Sequence, residues 1–92
     1  MKDSILPGLR PLRERLGFTQ AKLAEAAGSS GEAICNIENG SRGASLKLVR
    51  ALAEVLCCTP NDLMESPSDE QLLASEIAFK TRELDRLQAS QV

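Results

Sequence analysis

The side chains of this 92-residue chain that could do chemistry are mostly ones that hydrogen-bond rather than react. There is no histidine, so neither a Ser-His-Asp nor a Cys-His nucleophilic set can be assembled, and no glycine-rich phosphate loop of the Walker kind occurs. Three cysteines without histidine do not make a zinc site within one chain. No enzymatic activity, cofactor or metal is therefore expected. The cysteines are Cys35, Cys57 and Cys58, an odd number with two adjacent, which suits no disulfide framework and points to a reducing cytoplasm. The polar groups that remain concentrate between Thr19 and Gly40 and just beyond it, as hydroxyls, carboxamides and charges.

Those groups need elements to hold them, and the apolar spacing supplies helices. Leu9, Leu12 and Leu16 fall at i, i+3 and i+7 on one helical face, and Gly17 stops that helix. Thr19 is a cap for the next, with Phe18 placed to close over Leu23 as a hydrophobic staple and Leu23, Ala24 and Ala27 forming a small inner face. Gly28 supplies a left-handed turn; Ser29 or Ser30 caps a third helix, Ser29 having capping-box spacing to Glu32. Ile34 and Ile37 point inward and Asn39-Gly40 ends it. Two short helices joined by a glycine turn, the second with a polar outer face, are the pattern of a helix-turn-helix, whose work is reading DNA.

After a loop, Ser45 caps a fourth helix in which Leu48, Val49, Leu52, Ala53 and Leu56 recur at core spacing. Thr59-Pro60 opens a short fifth, with Leu63 and Met64 expected to pack inward. Ile5 and Leu6, in a lead-in broken by Pro7 and Gly8, are expected to fold back onto the body. Ser66-Pro67-Ser68 marks a boundary, and Ser68 with Gln71 again has capping-box spacing, opening a helix to about residue 90. In it Leu73, Ile77, Leu84 and Leu87 follow the a/d rhythm of a coiled-coil seam, with Lys80 where another apolar residue belongs.

With two Phe and no Trp or Tyr, Leu, Ile, Val and Ala must build the core, which suits closely packed small helices. The fold class read is all-α, a compact five-helix body over residues 1–66 and a C-terminal amphipathic helix in 67–92. The body balances eight basic against eight acidic side chains, and the net charge of −2 sits in the tail. Modest DNA affinity per chain is the consequence. No secretory leader and no membrane-spanning stretch is expected.

The residues from about 9 to 65 resemble the Cro and lambda-repressor-like helix-turn-helix domains, also called the xenobiotic-response-element family. The landmarks are Leu12-Arg13, Gly17-Phe18-Thr19-Gln20 with Leu23-Ala24, Gly28, Ser30, Ala33-Ile34, Ile37-Glu38-Asn39-Gly40, Leu52-Ala53-Glu54-Val55-Leu56 and Pro60-Asn61-Asp62-Leu63. The resemblance implies that Gln20 and Asn39 hold phosphates, and that bases are read from Ser30, Gly31, Glu32, Cys35 and Asn36. Ser41 and Arg42, in the loop after the third helix, are further phosphate candidates, with Lys22 and Lys47 weaker ones. It also implies that Arg13 and Glu38 pair as a structural salt bridge rather than touching DNA.

The chain departs from the family where relatives often place a long polar reader, since Gly31 has no side chain. Glu32 accepts from a cytosine amino group but repels phosphates, and equally reads as a helix-start residue. Asn36 is the best reader, because a carboxamide makes two hydrogen bonds to adenine. Cys35 stands in place of a usual serine, with a redox response as the alternative. Cys57 replaces a usual helix-ending glycine and Cys58 a buried apolar residue.

The expectation is a homodimeric, sequence-specific DNA-binding regulator, a repressor of phage, plasmid or restriction-system type on an inverted-repeat operator. Leu73, Ile77, Leu84 and Leu87 would form its dimerisation face. A tail helix packed on its own body is the structural alternative. The functional alternative is an antitoxin or other interaction module whose tail helix binds a partner protein, with DNA binding for autoregulation.

Overall fold

The computed structural model describes residues 5–89, with side chains as far as residue 87. Six helices follow in order: α1 (Leu9–Arg15), α2 (Gln20–Ala27), α3 (Gly31–Glu38), α4 (Leu46–Val55), α5 (Pro60–Met64) and α6 (Asp69–Ala89). No strand occurs among the described residues, and none of the described helices is long and apolar enough to cross a membrane. Leu6, Leu9, Leu12, Leu23, Ile34, Ile37, Leu52, Leu56 and Leu63 are sealed from solvent in one cluster, into which Ala24 and Ala53 fit as small spacers. The all-α class and the inner faces of α1 to α4 are as the spacing predicts.

Hydroxyl caps open five of the helices. Thr19 Oγ1 accepts from Lys22 N, Ser30 Oγ from Ala33 N, Ser45 Oγ from Leu48 N and Ser68 Oγ from Gln71 N, at 3.1–3.2 Å. Thr59 and Asp62 make a full reciprocal box, Asp62 Oδ2 taking the Thr59 N–H at 2.9 Å. Such a cap is worth about 1 kcal/mol. The choice between Ser29 and Ser30 falls to Ser30, whose Oγ takes the Ala33 N–H, while Ser29 belongs to the turn that closes α2, its N–H on the Ala24 carbonyl at 2.8 Å. Gln71 does not reciprocate its cap either; its amide donates to Ser75 Oγ at 3.3 Å.

Four helices end by the same device, a left-handed residue followed by an N–H that turns back to a carbonyl five residues earlier. Gly17, Gly28 and Gly40 fill three of these positions at φ of +81°, +73° and +82°, and Cys57 fills the fourth at +55°. An L residue there costs about 1–2 kcal/mol, of which glycine would return part to unfolded-chain entropy. Cys57→Gly is therefore expected to stabilise the protein by about 0.5–1 kcal/mol, raising Tm by about 2–8 °C in a thermal melt.

Leu6 folds into the core as expected, but Ile5 is 55 % exposed, and Met64 is 50 % exposed rather than packed inward. Met64 ends a helix of five residues that has only one turn to bury, and Leu63 takes the inward position. The lead-in is tied to α5 by the Gly8 N–H on the Leu63 carbonyl at 2.9 Å. A Cβ on Gly8 would collide with the Asp62 carbonyl and stand 2.8 Å from that of Glu65, both backbone atoms. Gly8→Ala should destabilise the protein by about 1–3 kcal/mol, measured by urea titration.

The tail helix docks on its own body with one face and leaves another open. Arg15 Nε lies 3.5 Å from Glu76 Oε1, and the rings of Phe18 and Phe79 meet edge to face with centroids 5.4 Å apart. Arg82 donates to the Glu54 and Val55 carbonyls at 2.8 and 2.7 Å, placing a cation on the last turn of α4, where the helix dipole favours it. Phe18 thus meets α6 in addition to its place at the start of α2. Leu72 packs against the core and Ser75 is buried, whereas Leu73, Ile77, Leu84 and Leu87 are 47–62 % exposed.

Candidate nucleic-acid interface

The α2–turn–α3 unit is held by small residues and by one buried ionic knot. Ala24 and Ala33 allow close packing of α2 on α3, and Gly31 carries it to the outer end: its Cβ position lies 3.5 Å from the Ala21 Cα. That is ordinary contact, so Gly31 is not sterically required.

The knot ties three helices together. Arg13 on α1 donates from Nε and Nη2 to the two carboxylate oxygens of Glu38 on α3, at 2.6 and 3.1 Å, and from Nη1 to the Phe18 carbonyl at 2.8 Å. Gln20 at the start of α2 donates from Nε2 to Glu38 Oε1 at 3.0 Å. The Glu38 side chain is 3 % exposed, so the carboxylate relies on these donors in place of water. The hydrogen bond to Glu38 raises the Arg13 pKa above its ordinary value, against the opposing effect of burial, and the guanidinium stays charged. The Arg13–Glu38 pair expected from the family resemblance is present.

Gln20 was missed as a member of this knot. A side chain expected to point at phosphate spends one amide N–H on Glu38 and has one left to donate outward. Its position 18 residues before Glu38 carries no periodic signal.

The outer face of α3 is polar and open. Ser30, Glu32, Cys35 and Asn39 are exposed, Gly31 and Asn36 are half-buried, and Ala33, Ile34 and Ile37 turn inward. The Asn36 carbonyl accepts the N–H groups of Ser41 and Arg42 at 2.9 and 3.2 Å, so the following loop is fastened to the end of α3. Asn39 Oδ1 accepts from Ser41 N at 2.9 Å, which turns its NH2 group into the end available to donate. Ser41, Arg42, Lys22 and Lys47 are all exposed.

The three cysteines separate by environment. Cys35 is exposed on α3, while Cys58 packs against the core. Burial, reinforced by the Asp62 carboxylate and by Cys57, pushes the Cys58 thiol up to about 12, so it remains a neutral packing group. Among the described residues no cluster of His, Cys, Asp or Glu could hold a metal ion.

Residues 8–65, spanning α1 to α5 and this entire surface, match the family described as "Helix-turn-helix domain". The chain belongs to that family. Its helix-turn-helix domain is of the Cro and lambda-repressor-like kind and binds DNA. A competence pilus inhibition repressor of Acinetobacter baylyi is 36 % identical to it over 55 residues, 60 % of this chain and 50 % of that protein. The chain therefore spans about half the length of this curated relative. No solved structure matches significantly.

Proposed function

We propose that this helix-turn-helix protein is a homodimeric transcriptional repressor that occupies an inverted-repeat operator, with α3 in the major groove. The observation that carries the reading is the division of α3. One face is sealed into the core by Ala33, Ile34 and Ile37, while the capping Ser30, Glu32 and Cys35 are exposed on the other, flanked by Asn36. A helix so mounted enters a groove with its first turns toward base edges while the preceding helix lies along the backbone. In this reading Asn36 reads a base, and Gln20, Asn39, Ser41 and Arg42 hold phosphates. Repression as the outcome is supported by the name of the A. baylyi relative.

With few exposed cations on this surface, one copy binds weakly, and two copies joined through α6 supply the affinity. The exposed stripe of Leu73, Ile77, Leu84 and Leu87 supports that role for the tail. A gel-shift series with fragments from the region upstream of the protein's own gene should give a saturable, sequence-dependent complex. Absence of specific binding by folded protein in low salt would refute the proposal. A full-length chain that stays monomeric and captures a neighbour-encoded protein would favour the antitoxin reading instead.

A further inference from the structure

The open face of α6 has a polarity written into it. Its members recur at steps of four, three, four and three residues: Leu73, Ile77, Lys80, Leu84 and Leu87. The apolar four are 47–62 % exposed, and the Lys80 side chain is 75 % exposed. Glu76 lies on the border between this stripe and the docked face, with Oε1 3.5 Å from Arg15 Nε and Oε2 3.9 Å from Lys80 Nζ. Ala74 and Thr81, on the stripe's other flank, are small and uncharged.

Two copies of such a helix can pair in two directions. In a parallel pair each seam residue meets its own copy, which sets Lys80 against Lys80 inside an otherwise apolar layer, two like charges losing water together. In an antiparallel pair centred between residues 78 and 79, Leu73 meets Leu84 in two layers, and Leu87 comes opposite Glu70 beyond them. Ile77 meets Lys80 in the middle, and the lysine stem covers the isoleucine while its ammonium points along the seam edge. There it arrives beside Glu76 of the other copy, the carboxylate that Arg15 already holds at that edge.

Resting on the homodimer reading above, we infer that α6 pairs antiparallel with the α6 of a second copy. Leu73 lies opposite Leu84, Ile77 opposite Lys80, and each Lys80 ammonium forms an ion pair with Glu76 of the other chain. The interface is then apolar in its two Leu73–Leu84 layers and ionic at its centre, and the ionic centre sets the direction.

The test uses full-length protein in a background of Cys35→Ser, Cys57→Gly and Cys58→Ala, with one thiol returned to α6. Leu73→Cys and Leu84→Cys proteins, one carrying a size tag, are refolded together and oxidised. The mixture is expected to give the mixed disulfide, and each protein alone none, because like positions lie about 16 Å apart along antiparallel helices. Disulfides formed by each protein with itself would overturn the antiparallel pairing while leaving the dimer. A chain monomeric in sedimentation equilibrium would overturn both.

A second measurement keeps the native cysteines. Lys80→Glu sets a carboxylate beside Glu76 of the other copy at two symmetric places and is expected to weaken the dimer about tenfold. A parallel pair would merely exchange one like-charge contact for another, so an unchanged dissociation constant would overturn the inference.

Discussion

Glu38→Ala is expected to cost about 3–5 kcal/mol of stability, the range for removing one partner of a buried ion pair. The cost comes from what is left behind. Arg13, its side chain 10 % exposed, keeps a charge with the Phe18 carbonyl and, 3.7 Å away, the exposed Glu14 carboxylate as its remaining partners, and the Gln20 amide loses its acceptor. For a domain whose total stability is of order 5–15 kcal/mol, Tm should fall by well over 10 °C. Urea titration of the purified variant measures it, and a loss below 1 kcal/mol would show that water reaches the site. Replacing both partners, Arg13→Met with Glu38→Leu, should cost far less than the sum of the two single changes, since no charge is then stranded. The double variant also separates stability from recognition. If the pair only supports α3, operator affinity should survive once folding is restored.

The local layers of this fold were legible because they follow short-range rules. Thr19, Ser45 and Thr59 cap as their types and positions suggest, and Cys57 occupies the left-handed position that in relatives of the resembled family a helix-ending glycine often fills. Ser29 and Ser30 were not separable, since both are good caps and the decision rests on how far the turn that closes α2 extends. The docking of α6 was less legible for a more general reason. Periodicity highlights the strongest apolar stripe, and here that stripe is the exposed one. The docked face runs through Leu72, Ser75, Phe79 and Arg82, a mixture of aliphatic, hydroxyl, aromatic and cationic groups with no period of its own. Arg82 finds its carbonyls on α4, 27 and 28 residues away, by geometry alone. On the candidate interface, the side-chain types were readable from sequence, but the engagement of Gln20 by Glu38 was not, because it depends on how α1, α2 and α3 converge.

That convergence bears on how sequence is read, and two substitutions should divide the work. Asn36 lies on the edge of α3's outer face, and a carboxamide there can present donor and acceptor together to an adenine. Asn36→Ala should cost about 1–3 kcal/mol against the preferred operator at each half-site and little against sequences altered at the base it reads, so preference relaxes at one position. Arg42 sits in the loop that two N–H bonds fasten to the Asn36 carbonyl, close to α3 but outside it. Its guanidinium suits phosphate, so Arg42→Ala should weaken every sequence alike and reduce the slope of log K against log salt by about one per contact. Binding to a selected random pool, before and after each change and at two salt concentrations, measures both effects. Gly31 offers the converse experiment. Its Cβ position has room against Ala21, so Gly31→Gln should fold normally and add a preference at one further base. If Asn36→Ala lowered affinity evenly across the pool, α3's outer face would be serving as a phosphate clamp, and base discrimination would have to come from DNA shape.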